Sequence, residues 1–353
     1  MQKFYTMSSV ILRTNKLGFQ WKVQDPFLFC AHHKDDYPNG NRSKGPASGV
    51  KGHYLGNDFD ERLDWRMYHG KQVPGFPVHP HRGFETITIV LKGIIDHTDS
   101  AGGAGRYGNG DVQWMTAGTG LQHSEMFPLV NEDQPNPLEL FQIWLNLPRS
   151  KKLVKPYYRM LWKEAIPRVN VADQGGKNTE VIIITGKASG VEVKSPSEDS
   201  WAADPENEVM ILRVKMDPHA SYSIPAAVNG VNRSLFFYKG DELKINGETL
   251  TGGYSADLVS DVNILIENGS QQSELLILQG KPINEPVVQY GPFVMNSQAE
   301  IQQTVSEYRR TEFGGWPWPD EEYVHADEPR FAKYTDGSIE YPHEKAGTAN
   351  TNR

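Results

Sequence analysis

His79 and His81 stand one residue apart, and about 40 residues further on His123 and Glu125 repeat that spacing. In a β-strand, residues i and i+2 point to the same face. Each pair therefore aims two metal-competent side chains in one direction. If the two strands lie side by side, three imidazoles and a carboxylate converge on one point. Such a set suits iron, manganese, nickel, copper or zinc, and an octahedral ion would keep two positions free for a substrate. A lone His-x-His occurs often without a metal. The second pair, on its own strand-like segment, changes the balance, because buried imidazoles and a carboxylate are costly without a shared partner.

The elements that must position these residues are legible. From Phe84 to Leu91 the chain is rich in β-branched residues, and Lys92-Gly93 closes that strand with a turn signal. Gly110-Asp111 opens a second strand ahead of the His123 pair. Leu138 to Leu147 alternates as a buried strand should, and Pro148 stops it. Further on, Val181 to Gly186, Val209 to Val214, Leu235 to Gly240 and Leu275 to Gly280 are strand-length runs, three of them with glycine endings like that of Leu91-Lys92-Gly93. A duplicated barrel is the natural reading. Between residues 175 and 290 the only histidine is His219, so the second half has no metal site of the same type. Ser297-x-x-Glu300 is a capping box, and Ile301, Val305 and Tyr308 share one face of a helix over 297–310.

The stretch His79-Pro80-His81-Arg82-Gly83-Phe84-Glu85-Thr86, the segment Gly110 to Gly118, and Gly120 to Glu125 ending His123-Ser124-Glu125-Met126 closely resemble the pirin family. The likeness extends more loosely to about residue 150 and returns at Tyr290 to Asn296. Pirins are two-domain members of the cupin superfamily, so the resemblance implies an all-β chain of two tandem jelly-roll-type cupin barrels with a short C-terminal helix and tail. The expected division is 1–150 for a metal-bearing barrel, 151–174 for a linker, 175–295 for a second barrel without ligands, and 296–353 for helix and tail. By position the family's ligands fall on His79, His81, His123 and Glu125, with Fe(2+) as the expected ion and Ni, Mn, Cu or Zn as alternatives.

The general cupin pattern instead takes its carboxylate four residues after the second histidine, where Glu85 stands here. The pirin resemblance implies Glu125 as the ligand, and a bulge at Gly83 could turn Glu85 off the ligand face, with Glu85 as a neighbour of the site or a substitute ligand. Some pirins resemble quercetinases, which open a flavonol ring with dioxygen and release carbon monoxide. That implies a flavonol-like aromatic substrate with O2, and a catalytic role for Glu125 in taking the 3-hydroxyl proton. Phe76, Phe84, Trp114 and Met126 are candidate walls for such a ligand, and residue by residue plain barrel core is the better reading. Eukaryotic pirins imply a different class, an iron-containing redox-sensing regulator that binds a protein partner.

Composition bounds these readings. The chain has 353 residues, enough for two domains, and a net charge of −8, which argues against nucleic-acid binding through a basic surface. One cysteine allows no internal disulfide. No apolar run approaches a bilayer span, and Met1 to Thr14 has no sustained apolar core of a leader, so a cytoplasmic protein without membrane contact is expected. Other clusters carry weaker signals. Cys30, His32 and His33 lack matched metal partners, and Asp96-His97-Thr98-Asp99 reads as a satisfied strand histidine. Gly102-Gly103-x-Gly105 precedes a strand, so a loop at a barrel mouth is expected there and not a phosphate cradle. Trp316-Pro317-Trp318-Pro319 reads as a clasp holding the tail to the body, and 343–353 as a loose end.

Overall fold

The computed structural model describes residues 9–342, so the expectation for 343–353, and the part of the leader reading that rests on residues 1–8, lie outside the described residues. The chain is almost entirely β, with one helix of length, Gln298–Thr311. Among the described residues no helix is long and apolar enough to cross a membrane.

Two compact units divide the chain, and each is discontinuous. One takes the chain to Leu28 together with Ile166–Asn284, and the other takes Phe29–Ala165 together with everything from Glu285. This cuts across the expected 1–150 and 175–295 division. The cause is pairing between distant segments: Ile11–Lys16 forms an antiparallel ladder with Tyr254–Leu258 of the second barrel. The expected linker 151–174 contains two strands as well. Tyr157–Leu161 extends the first barrel by pairing with Val112–Thr116, and Arg168–Ala172 pairs with Asn178–Ala188 in the second. Unpaired edges left by either barrel recruit whatever chain passes them.

In the metal-motif unit, one sheet runs in the order Tyr157–Leu161, Val112–Thr116, Phe84–Lys92, Asn136–Asn146, Phe27–Tyr37. The other runs Ile339–Glu340, Phe331–Lys333, Ala104–Gly108, Ile94–Asp99, Leu121–Met126, Gly75–His81. The two histidine strands are therefore neighbours at one end of the second sheet. Between His81 and Phe84 the chain leaves one sheet for the other. Gly83 makes that step at φ +86°, and a side chain there would collide with the Val294 carbonyl. The buried Lys152 ammonium donates to Gly83 O at 2.9 Å and Asn146 Oδ1 at 2.7 Å, and burial lowers its pKa to about 8.

The helix starts as its sequence predicts. Ser297 Oγ accepts the Glu300 N–H, and the Glu300 carboxylate accepts from Ser297 Oγ and Asn296 N–H, each at 3.0 Å. Ile301 is buried with Phe293 and Met295, and Val305, Tyr308 and Phe313 pack on them. The tail then clasps the body. Trp318 Nε1 donates to Asp99 O at 2.8 Å, and the Glu322 carboxylate collects the backbone N–H groups of Lys71, Gln72 and Val73. Arg82 ties the helix to the histidine strand: it donates to Thr119 O at 2.6 Å and to Glu307 at 2.9 Å, and its guanidinium lies 4.5 Å from the Phe313 ring centre. Arg82→Ala is expected to cost roughly 2–4 kcal/mol by leaving these partners unmet. Arg82→Lys should recover little of that, since an ammonium cannot reproduce the fork. Calorimetric melting of both variants checks this; a wild-type melting temperature for Arg82→Ala would contradict it.

The second unit is a sheet ordered Ile11–Lys16, Tyr254–Leu258, Asn232–Lys239, Ser273–Gly280, Met210–Met216, Asn178–Ala188, Arg168–Ala172. With it goes a four-stranded sheet of Ser221–Ile224, Ile264–Asn268, Glu242–Ile245 and Glu248–Thr251. Its core is apolar, with Ile183, Leu212, Leu235, Phe237, Leu275 and Ile277 all fully buried.

Candidate metal centre

Adjacent strands bring the two histidine pairs together through one irregularity. Along Gly75–His81 and Leu121–Met126, Phe76 pairs with Glu125, yet His79 pairs with His123 and His81 with Leu121. The ladder thus slips by one residue between Phe76 and His79, as a β-bulge does. That slip sets His79 directly opposite His123, on the same face. The ring centres lie 4.4 Å apart for His79 and His123, 4.9 Å for His81 and His123, and 4.8 Å for His79 and His81. One ligand atom from each of the three lies within 4.8 Å of the others.

His79 Nδ1 donates to Pro77 O at 2.9 Å, which leaves its Nε2 lone pair free. His81 and His123 are buried, and neither ring nitrogen of either has a hydrogen-bond partner among the described residues. One inward nitrogen on each of the three rings is costly to leave unmet unless something fills the space between them. A cation that accepts imidazole nitrogen meets that need, so the three histidines fit a metal ion.

Burial lowers all three pKa values. His79, which keeps some exposure, falls to about 4, and His81 and His123 fall well below the ordinary histidine range. The rings are thus held neutral, as ligation requires. The sign of the resulting pH effect is definite. A folded pKa below the unfolded value of about 6.5 means the unfolded chain binds protons first as pH falls. Stability of the metal-free protein is therefore full above about pH 6.5 and lost through the window towards pH 4, at about 1.4 kcal/mol per pH unit for each of His81 and His123. Urea unfolding of metal-free protein at pH 7, 6 and 5 should show this slope, and a variant with both residues replaced should lose their share of it, while His33, His79 and His325, whose pKa values burial also lowers, keep the rest. A flat wild-type profile would contradict it.

Glu125 is buried beside this cluster, with Oε2 3.9 Å from His123 Nε2. Burial pushes its pKa up, against the opposing effects of His97, Thr88 and Gln142. Its hydrogen bonds form a closed ring. Gln142 Nε2 stands 3.1 Å from Glu125 Oε2, Thr88 Oγ1 stands 2.6 Å from Gln142 Oε1, and Thr88 Oγ1 stands 3.0 Å from Glu125 Oε1. Thr88 has one proton for two acceptors. With a proton on Glu125, every link is satisfied: Glu125 donates to Thr88, Thr88 to Gln142, and Gln142 back to Glu125. The ring therefore has a place for one proton on that carboxyl.

Glu85 is not part of this cluster. It is fully buried, and its Oε1 accepts from Trp114 Nε1 at 3.0 Å and Thr116 Oγ1 at 2.7 Å. The sheet change at Gly83 breaks the parity between His81 and Glu85, so Glu85 points to the face opposite Thr88. Trp114 shares that opposite face and Met126 alternates with Glu125, so neither is a wall of the site. Phe76 and Phe84 do reach the histidine cluster, 6.3 Å from His79 and 5.1 Å from His81 by ring centres. Trp144, 5.5 Å from His81 and 4.4 Å from Phe84, completes an aromatic wall that the sequence did not single out. Phe76, His79, Gln142 and Trp144 each keep partial exposure, whereas Phe141, Ile143 and Leu145 on the other face are sealed. That flank is the less sealed of the two faces.

His97 is more than a satisfied strand histidine. It pairs across the ladder with Glu125, its ring centre is 5.5 Å from that of His123, and its Nε2 lies 3.1 Å from Asp99 Oδ2. The missed signal was parity: His97 and Asp99 occupy one face of a strand whose partner carries His123 and Glu125. Cys30, His32 and His33 do not form a cluster. Consecutive strand residues alternate faces, and His32 meets Glu139 at 3.1 Å while His33 packs edge-on against Tyr68 and Phe76. Gly102 and Gly103 make a tight hairpin turn in which Asp99 Oδ1 accepts from Ala101 N–H and Gly103 N–H.

A pair of jelly-roll-type barrels, one with three histidines gathered inside it, defines a bicupin with a candidate metal centre. The Pirin family profile matches residues 13–145, and that of the pirin C-terminal cupin domain matches 211–314. The chain is 35% identical over 243 residues to a Pseudomonas aeruginosa protein provisionally named a quercetin 2,3-dioxygenase, covering 69% of this chain and 80% of that one. It is 33% identical to human pirin over 262 residues, 73% of this chain and 84% of the human one. In fold it is similar to a quercetin 2,3-dioxygenase from Acinetobacter baumannii, with a TM-score of 0.68 at 24% identity over 86% of this chain and 98% of that chain. The chain belongs to the pirin family.

Proposed function

We propose that this pirin is a metal-dependent dioxygenase, with Fe(II) held by His79, His81, His123 and Glu125. It opens the central ring of a flavonol or similar aromatic enol with O2 and releases carbon monoxide. The observation that carries this reading is the pairing of three neutral imidazoles having free nitrogens with a buried carboxyl poised to take a proton, all on the less sealed, aromatic flank. A redox-active ion bound there supplies Lewis acidity for an enolate and electron density for dioxygen.

The protein's own groups do the rest. Glu125 accepts the flavonol 3-hydroxyl proton, and the Thr88–Gln142 ring stabilises it in the protonated form. Phe76, Phe84 and Trp144 offer flat apolar surface to a polycyclic ligand and exclude water from its reacting face. Relatives named for quercetin 2,3-dioxygenase activity support the substrate class.

The test is an anaerobic titration of the Fe(II)-loaded protein with quercetin, followed by absorbance. The expected result is a stoichiometric red shift to the ionised flavonol, abolished in His123→Ala. One metal per chain with no shift and no consumption in air would overturn the dioxygenase and favour a redox-responsive protein that binds a protein partner.

A further inference from the structure

The second barrel lacks metal ligands, yet it holds a charge at the corresponding place. Counting back from the Lys-Gly strand endings, Arg233 stands six residues before Lys239 as Thr86 stands six before Lys92. The ladders agree: Lys92 pairs with Glu139 and Thr86 with Trp144, while Lys239 pairs with Glu274 and Arg233 with Gln279. In the first barrel Trp144 packs against His81. Arg233 and Gln279 therefore occupy, in the second barrel, the strand positions that border the metal centre in the first.

A cavity of about 720 Å³ opens there, with Val193, Val209, Met210 and Ile224 among its apolar walls and Arg233 and Gln279 as polar lining. Arg233 is 1% exposed. Its Nε donates to Gln279 Oε1 at 2.7 Å and its Nη2 to Pro225 O at 2.8 Å. Gln279 is itself fixed by donating to Glu208 O at 3.2 Å. Nη1 has no hydrogen-bond partner, and no carboxylate forms an ion pair with Arg233, among the described residues. Glu208 also lines the cavity and its charge favours the guanidinium, but its Oε2 accepts from Val228 N–H at 3.2 Å. Lys187, Lys194 and Glu192, further lining residues, are exposed and leave Arg233 to set the charge at depth. Burial lowers the Arg233 pKa to about 10, which still leaves it charged at neutral pH. A buried guanidinium with free donors above an apolar core is destabilising unless an acceptor meets it.

We propose that the second barrel binds a small organic carboxylate with an apolar body, its carboxylate seated on Arg233 and its body against Val209, Met210 and Ile224. The fork of the guanidinium matches a carboxylate, and the cavity has ample room for a ligand of benzoate or medium-chain fatty acid size or larger.

Calorimetric titration of the full-length, metal-loaded protein with benzoate and hexanoate tests this, with benzamide and hexanamide as neutral counterparts. The expected result is one carboxylate per chain, with the amides at least about tenfold weaker. Binding should persist in His81→Ala, which separates it from anion binding at the metal. It should weaken at least about tenfold in Arg233→Gln, and also in Ala227→Trp, which narrows the cavity and leaves the arginine in place. Should Arg233→Gln fail to fold, Ala227→Trp decides. Absence of binding by either acid at millimolar concentration, equal binding of acid and amide, loss of binding in His81→Ala, or unchanged binding in Ala227→Trp would each overturn the proposal.

Discussion

His81→Ala and His123→Ala are each expected to lower metal affinity by more than about 100-fold and to abolish ring opening. The two imidazoles have no other partner to hold them, and removing one leaves two nitrogens and a carboxylate where the ion needs its full set. The effect should also be visible without turnover. An ion that binds only the folded state stabilises it by RT ln(1 + [L]/Kd), so saturating metal should raise the wild-type melting temperature by on the order of 10 °C and leave either variant almost unmoved. Equal metal-induced shifts in wild type and both variants would remove these histidines from the ligand set.

Glu125→Gln separates the two roles assigned to the carboxyl. The amide is isosteric and can still exchange hydrogen bonds with Thr88 and Gln142, which stand 3.0 and 3.1 Å from the carboxyl oxygens. Metal affinity should fall by about tenfold, whereas kcat should fall by about 10²–10⁴-fold, because an amide cannot take the flavonol proton. The residual activity should rise with pH as free flavonol ionises, a rescue that loss of a purely structural carboxyl would not produce. Wild-type turnover in this variant would exclude Glu125 as the base.

The convergence of the three histidines was legible because their spacing encodes their facing: parity along two strands is a local property. The barrel strands were legible for the same reason, as was the capped helix at Ser297. What the sequence concealed was set by pairing between distant segments. Nothing near Phe76 announces the one-residue slip that puts His79 opposite His123. Gly83 marked a break in parity, and the structure shows a change of sheet there that carries Glu85 to the opposite face. Trp114 and Met126 were candidate walls only through their nearness to the motifs, and their strand positions make them the barrel core that was the better reading of each.

The Glu125 ring needs three strands, since Thr88, Gln142 and Glu125 come from Phe84–Lys92, Asn136–Asn146 and Leu121–Met126. Gln142, set between Leu140-Phe141 and Ile143-Trp144-Leu145, was the available clue. The exchange of end segments between the two units left no local mark. Ile11–Lys16 reads as an ordinary strand, and only its ladder with Tyr254–Leu258 shows which barrel it completes.

The measurement that tests the central claim most directly is carbon monoxide released per quercetin consumed in air. It would use protein loaded anaerobically with Fe(II), beside the His81→Ala protein treated identically. Equimolar carbon monoxide and quercetin loss from wild type, with neither from the variant, is the predicted result. Quercetin loss without carbon monoxide, or at the same rate in both proteins, would mean that adventitious iron performs the oxidation and that the three-histidine centre does not.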